Sequence, residues 1–318
     1  MKSMRWVLKL LACAICFNLV GAYGNAMAED KIRLLVLPFS ESLGAVIAEK
    51  EGYFKDEGLN VEMKNGGSAP QMVPLLQAGQ ADIVLSNTVT TLQAIGQGLD
   101  ATLLAPGAVA RTHPPDTTQA IMVLKDAIRS PKDLKGKRVA VNVINSTAWL
   151  YTVAFFDKYG LSPNDVRYVE IPFPQMNAPL LNRQVDAITQ VEPFRTVLMD
   201  TGQVKALGYP YVEVQPNADI TQYIALSSWV KTHKSEAERF ARAVRKGAMF
   251  ANQHVAAARD INQAFTGLNP ALKDRVLLPR FGEAVNPREI RKTMDLMLKY
   301  GLLKQKVDLT GRIFSASQ

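Results

Sequence analysis

IRLLVLPFSESLGAVIAEKEGYFKDEGLNVEMK, residues 32–64, is the stretch on which the fold turns. Its first six residues form an apolar run broken only by Arg33 and closed by Pro38, the pattern of a strand buried on both faces of a parallel sheet. Leu43, Val46 and Ile47 then share one stripe of a helix over 43–51 that Gly52 ends. Residues 61–64 supply a second short strand. Beyond them, 70–78 reads as a helix with Ser68 as N-cap and Gly79 as stop, and 81–85 as the next buried strand. An order of β-α-β-α-β forces parallel pairing through right-handed crossovers.

Further along, the pattern gives a helix over 90–97, a strand over 101–104 and a long polar rim loop over 105–118, with Pro106, Gly107, Pro114 and Pro115. An extended segment, 119–124, leads to a second α/β unit. There Ser130 and Pro131 open a single turn through Leu134, and a strand follows at 138–141. Next comes an amphipathic helix at 147–158, with Leu150, Val153, Ala154 and Asp157 marking its two faces. A strand over 166–171, a helix over 178–182, a strand over 186–189 and a helix over 192–200 complete the unit. A second extended segment, 223–227, precedes a wholly helical remainder. In it Ser235 and Glu238 form a capping box for a helix to about residue 252, and Asn286, Pro287 and Glu289 open the last helix. Gly96-Gln97-Gly98-Leu99-Asp100-Ala101 fits a GxGxxA string but follows a helix instead of a strand, so it reads as a helix stop.

The chain of 318 residues is 47% apolar, enough for two core-forming lobes and too apolar for disorder. Residues 1–28 read as a secretory signal: a basic start with Lys2 and Arg5, an apolar stretch over 6–20, and Ala26-Met27-Ala28 as cleavage site. Cleavage near Ala28 leaves 290 residues, takes the formal charge from +8 to +5 and removes both cysteines, Cys13 and Cys16. Disulfides, thiolate nucleophiles and cysteine-ligated zinc are thereby excluded. A lipid-attachment box at Leu10-Leu11-Ala12-Cys13 would leave only Trp6-Val7-Leu8 as apolar region ahead of Lys9, so an ordinary signal fits better. The remaining basic residues are interspersed with acids, as in Lys132-Asp133-Leu134-Lys135, which argues against a nucleic-acid footprint. No later segment approaches the roughly 20 apolar residues of a membrane span. His113, His233 and His254 stand alone, with no metal-ligand spacing.

Several motifs now carry a resemblance. Glu51-Gly52-Tyr53-Phe54-Lys55-Asp56-Glu57-Gly58-Leu59-Asn60-Val61-Glu62, the Gly66-Gly67-Ser68 loop, Gly79-Gln80-Ala81-Asp82-Ile83, Asp133-Leu134-Lys135-Gly136-Lys137-Arg138-Val139-Ala140-Val141 and Glu192-Pro193-Phe194 lie in register over residues 31–310. Together they resemble the nitrate/sulfonate/taurine-type substrate-binding proteins of ABC importers, a family that includes binders of thiamine-pyrimidine precursors. The resemblance implies a periplasmic binding protein of type II: two α/β lobes joined by two hinge strands, with solute held in the cleft. Lobe one would comprise 29–118 plus 228–318, and lobe two 119–227. Lobe closure by hinge motion and delivery to a membrane permease would follow, with a monomer, no cofactor and no nucleic acid expected.

Ligands of open α/β sheets sit beyond the carboxyl ends of the strands, at helix N-termini. That rule selects Phe39, Ser40 and Glu41 after the first strand, Gly67 and Ser68 after the second, and Ser86, Asn87 and Thr88 after the third. From the second unit it selects Asn145, Ser146 and Thr147, then Gln190 and Glu192. Ser68, Thr88 and Thr147 are equally at home as helix caps. Gly66 and Gly67 serve as a turn or let backbone approach a ligand. Phe39 either stacks on a flat ligand or packs between lobes, and Trp149 reads as core. Glu192 either meets the ligand or pairs with Arg195; Arg111 and Arg195 are the candidate clamps for an anion. The expected solute is a small organic anion, a sulfonate or a carboxylate. The alternatives are a pyrimidine or other nitrogen heterocycle, met by Glu192 and Asn87, and an enzyme of thiamine-precursor synthesis, which the cysteine-free mature chain and the signal disfavour.

Overall fold

The structure, a computed structural model, describes residues 30–116 and 118–315, so the expected signal, both cysteines and the lipid-box alternative lie outside the described residues. The opening apolar run becomes β1 (Asp30–Val36), and α1 (Leu43–Lys50) follows. Gly52, at φ 78°, leads into α2 (Tyr53–Asp56), then β2 (Leu59–Asn65), α3 (Ala69–Gln77), β3 (Ile83–Asn87), α4 (Thr88–Gly96), β4 (Ala101–Pro106) and β5 (Ala108–Val109). The second unit holds β6 (Ala120–Leu124), a 3-10 turn at Pro131–Leu134, β7 (Arg138–Val141) and α5 (Thr147–Asp157). It continues with β8 (Arg167–Glu170), α6 (Asn177–Leu181), β9 (Ala187–Gln190), α7 (Phe194–Asp200), β10 (Val204–Gly208) and α8 (Pro210–Val214). The chain then returns with β11 (Thr221–Leu226), α9 (Ser227–Thr232), α10 (Lys234–Gln253), α11 (Val255–Thr266), β12 (Arg280–Phe281) and α12 (Pro287–Lys299).

Two five-stranded sheets result. The first has the order β2-β1-β3-β11-β4, with β1 parallel to β2 and β3 and with β11 antiparallel to both neighbours. The second has the order β10-β6-β9-β7-β8, with β7 parallel to β8 and β9 and with β6 antiparallel to β9 and β10. The two extended segments read from the sequence are β6 and β11, and each enters its sheet directly from the passage between the units.

Several local expectations are corrected. In β1, Ile32, Leu34 and Val36 are buried while Arg33 and Leu35 are half-buried, so one face is partly open; Arg33 is held there by a bidentate pair to Asp82 at 2.6 and 3.0 Å. The helix α5 is not amphipathic: residues 147–156 are buried all round, because α5 lies at the junction of the units. The Tyr151 hydroxyl there donates to Gln215 at 2.9 Å and lies 2.8 Å from Thr293 of α12, while its ring stands edge-on to Tyr211. Ser235 caps nothing. Only His233 separates α9 from α10, so the helix begins at Lys234 and Ser235 is already inside it. The remainder is not wholly helical either, since β12 pairs antiparallel with β5. Residues 105–110 are buried in β4, β5 and the residues beside them, so among the described residues of the supposed polar rim loop only 111–115 reach the surface.

Burial in α1 is continuous from Leu43 to Ala48, wider than the predicted stripe. α10 crosses it closely: a methyl group on Gly247 would collide with the Gly44 carbonyl. Backbone approach of this kind needs the missing side chain.

Candidate functional site

The carboxyl ends of β1, β2, β3, β7 and β8 converge on one cavity of about 340 Å³ between the two units. The first unit supplies Leu37, Pro38, Phe39 and Glu41, then Gly67, Ser68, Ala69 and Gln71, then Asn87. From the second come Asn142, Val143, Ser146, Thr147 and Ala148, the Pro172-Phe173-Pro174 turn, and Tyr211 of α8; Ile220 closes the wall.

Among the residues expected from the sequence, Phe39, Glu41, Gly67, Ser68, Asn87, Ser146 and Thr147 line this cavity. The other six do not. Ser40 is buried behind it, and its N–H donates to the Glu192 carbonyl at 3.4 Å. Ser86 is buried within β3. The Thr88 hydroxyl donates to the Asp219 carbonyl at 2.5 Å and accepts from the Gln222 amide at 2.7 Å, tying α4 to β11. Asn145 is exposed, takes φ 62°, and lies in an outer groove with Ile144. Gln190 is buried, its amide donating to the Phe173 carbonyl at 3.1 Å and to Asn177 at 2.8 Å.

Glu192 follows the pairing alternative. Its carboxylate takes Arg195 at 2.8 Å and the Thr196 N–H at 3.1 Å, and a further Arg195 N–H reaches the Asp116 carbonyl at 3.0 Å. Arg195 is thus committed, and Arg111 lines a separate open groove of about 850 Å³ with His113, Arg259 and Arg280. Neither arginine reaches the cavity.

Three helix N-termini were expected to face a ligand, and they differ in how many of their N–H groups are open. At α4 the first N–H groups are already occupied: Thr88 to the Ile220 carbonyl, Val89 to the Thr147 hydroxyl and Thr90 to the Asn87 side chain. At α3, Gln71 folds back to accept from the Ser68 N–H and hydroxyl, both at 2.9 Å, and Pro70 has no N–H; Ala69 alone keeps an open one. At α5 the Ser146 side chain caps Trp149, while the N–H groups of Thr147 and Ala148 meet no acceptor among the described residues. Of the helix N–H groups at the cavity wall, those left open are therefore chiefly at α5.

Contacts across the cavity join the units. The Thr147 hydroxyl donates to Asn87 at 2.8 Å, and the Phe39 and Phe173 rings meet edge to face, centroids 5.5 Å apart. Glu41, only 6% exposed, is pushed up to about 8 by burial, with the Asp116 carboxyl adding to the shift. Burial also raises the Tyr211 phenol well above its usual range.

Sequence reasoning missed the Pro172-Phe173-Pro174 turn, although the strand before it was read correctly and the carboxyl-end rule applies to it. Tyr211 follows β10, which carried no recognised signal.

A family described as NMT1/THI5-like matches residues 40–258. The chain belongs to the NMT1/THI5-like family. It is similar, at 26% identity over 178 residues, to the taurine-binding periplasmic protein of Escherichia coli (strain K12), a match covering 54% of this chain and 53% of that protein. A putative thiamine biosynthesis protein of Haemophilus influenzae is also 26% identical, over 167 residues covering 51% of this chain and 50% of that one. The chain thus spans about half the length of the curated relatives it matches. The alkanesulfonate-binding protein from Xanthomonas axonopodis pv. citri, solved bound to MOPS, superposes with a TM-score of 0.75 at 18% identity, over 89% of this chain and 98% of that one. The fold of this NMT1/THI5-like chain is that of the periplasmic binding proteins, with two α/β lobes joined by two hinge strands. Among its described residues no helix is long and apolar enough to cross a membrane.

Proposed function

We propose that this NMT1/THI5-like protein is a periplasmic solute-binding component of an ABC importer, which captures a small organic anion such as a sulfonate or carboxylate and delivers it to a membrane permease without catalysis. The observation that carries the reading is the cavity between the units, lined among others by Thr147 and Ala148, whose backbone N–H groups meet no acceptor among the described residues. Phe39, Glu41, Gly67, Ser68, Asn87, Ser146 and Thr147 are the proposed ligand contacts, with Phe173 and Tyr211 added as walls. The proposed lobes are 29–118 plus 228–318 and 119–227, in a monomer that binds no nucleic acid. The names of the taurine-binding and alkanesulfonate-binding relatives support the anion.

A second reading, a neutral nitrogen heterocycle, is favoured by one specific observation. The described cavity wall holds the Phe39 and Phe173 rings and no lysine, arginine or histidine. Thermal-shift screening of the mature protein separates the two, because a ligand that binds the folded state alone raises its melting temperature by mass action. Stabilisation by alkanesulfonates or aromatic carboxylates is expected; stabilisation by pyrimidines alone refutes the anion, and chemical conversion of a bound compound refutes the binding-only role.

A further inference from the structure

Glu41 and Tyr211 are the titratable groups on the described cavity wall, and no cation shares that wall. Glu41 sits in the Ser40–Ser42 turn, which presents no charge of its own besides Glu41. Ser42 spends its hydroxyl on the Leu37 carbonyl at 2.7 Å. Facing Glu41 from the other elements are the Asp116 carboxyl and the Tyr211 phenol. Behind Tyr211 stands Tyr151, whose hydroxyl is engaged with Gln215 and Thr293. Arg195, which touches the Asp116 carbonyl, is neutralised by Glu192. Among the described residues the Glu41 carboxyl thus meets a second acid, one phenol and no free cation, and makes no hydrogen bond to another side chain or backbone group.

An anion entering this space would meet an ionised Glu41 across one small cavity. A compact space of about 340 Å³ is roughly 9 Å across, so an anion held in it would lie no more than roughly 8 or 9 Å from Glu41. At that distance, with an effective dielectric near 20, like charges weaken binding on the order of thirtyfold. The uncharged acid removes the repulsion and offers an O–H donor in place of a negative charge.

We propose that Glu41 is a protonation gate: it admits an acceptor-bearing or anionic solute only as the uncharged acid, so that capture is coupled to retention or uptake of one proton. The proposal rests on the solute-binding reading above. No covalent step is involved; the proton comes from solvent and stays on the Glu41 carboxyl while solute is bound. Burial that holds the acid form to about pH 8 is consistent with this arrangement.

The test uses butanesulfonate and benzoate as probes, with dissociation constants measured by calorimetry from pH 6.5 to pH 9.5 in buffers of contrasting ionisation enthalpy. In the wild-type protein the dissociation constant should rise toward the order-of-thirtyfold limit as Glu41 ionises above about pH 8, with net proton uptake on binding there. Glu41→Gln, which keeps a donor and cannot ionise, should bind with an affinity independent of pH. Infrared titration of wild type minus Glu41→Gln should show a protonated carboxyl at pH 7. A pH-independent wild-type affinity overturns the gate while leaving the importer role standing, and so does a carboxylate band at pH 7. Binding of pyrimidines with no binding of either probe overturns the anion reading and the gate together. Circular dichroism of the variant shows that it is folded before either comparison is made.

Discussion

Replacing Arg195 with methionine should destabilise the protein by about 3–5 kcal/mol, through a charge left alone and not through lost packing. Methionine keeps much of the apolar stem, so the cavity contribution is small. What remains is Glu192, whose side chain is fully buried, with the Thr196 N–H at 3.1 Å as its last partner. The Asp116 carbonyl also loses the Arg195 N–H, which accounts for about 1 kcal/mol of the total. For a domain of this size the change corresponds to a fall in melting temperature of roughly 6–15 °C. The discriminating variant is the double replacement Glu192→Gln with Arg195→Met, where no orphan charge survives and the Thr196 hydrogen bond is retained. Its cost should shrink to about 1–2 kcal/mol, a double-mutant coupling well above additivity. Urea unfolding followed by tryptophan fluorescence, with calorimetry as a second probe, measures all three proteins. A single mutant within about 1 kcal/mol of wild type, or a double mutant no more stable than the single, refutes the reasoning.

Other substitutions probe different links. Thr147→Val strips the donor from Asn87 and the acceptor from the Val89 N–H, so it should cost about 1–3 kcal/mol in denaturant melts and weaken solute binding as well; an unchanged melt would show that the bridge between the units carries nothing. Gly247→Ala drives a methyl group into the Gly44 carbonyl and should cost more than about 1–3 kcal/mol, visible as a lowered urea midpoint; tolerance would mean that α10 slides freely on α1. The pH dependence of stability has a definite sign at Glu41. Its folded value, about 8, lies above the ordinary 4.5, so the wild-type advantage is complete below about pH 4.5 and fades as pH rises through 8. Glu41→Gln should therefore gain stability relative to wild type between pH 5 and pH 9, by up to a few kcal/mol, and parallel stability curves would contradict the buried acid.

How much of this was legible beforehand follows from where each signal resides. Apolar runs and glycine stops are local, so β1 to β4 and the helices α1, α3 and α4 were readable within a few residues, while the four-residue α2 was not. Asn286 was likewise readable as a cap, since it accepts the Arg288 and Glu289 N–H groups. Burial all round α5 was not, because its outer face is covered by Tyr211 and Thr293, more than 50 residues away in the chain. The capping box at Ser235 failed for a related reason: the pattern was present, but α9 had already set the helix start. At the site, the carboxyl-end rule found the loops and could not say which side chains turn inward. Ser40, Ser86, Thr88 and Gln190 occupy the right loops and face the protein interior. Helix N-termini were equally visible in sequence, yet whether their donors are open depends on partners such as the Ile220 carbonyl, 132 residues beyond Thr88 in the chain.

The placement of β11 has a consequence for the order in which the molecule assembles. The second sheet is built from one continuous segment, residues 120–208, and can form as soon as that segment is made. The first sheet cannot: its strand between β3 and β4 is β11, and the hydrogen bond from Gln222 to Thr88 closes a separation of 134 residues. A chain emerging from the ribosome therefore carries β1 to β4 as an incomplete layer until β11 appears, with the loop-closure entropy of the whole second unit still unpaid. A late central strand is thus a timing device written into topology. Folding of the first unit is delayed until most of the polypeptide has been made.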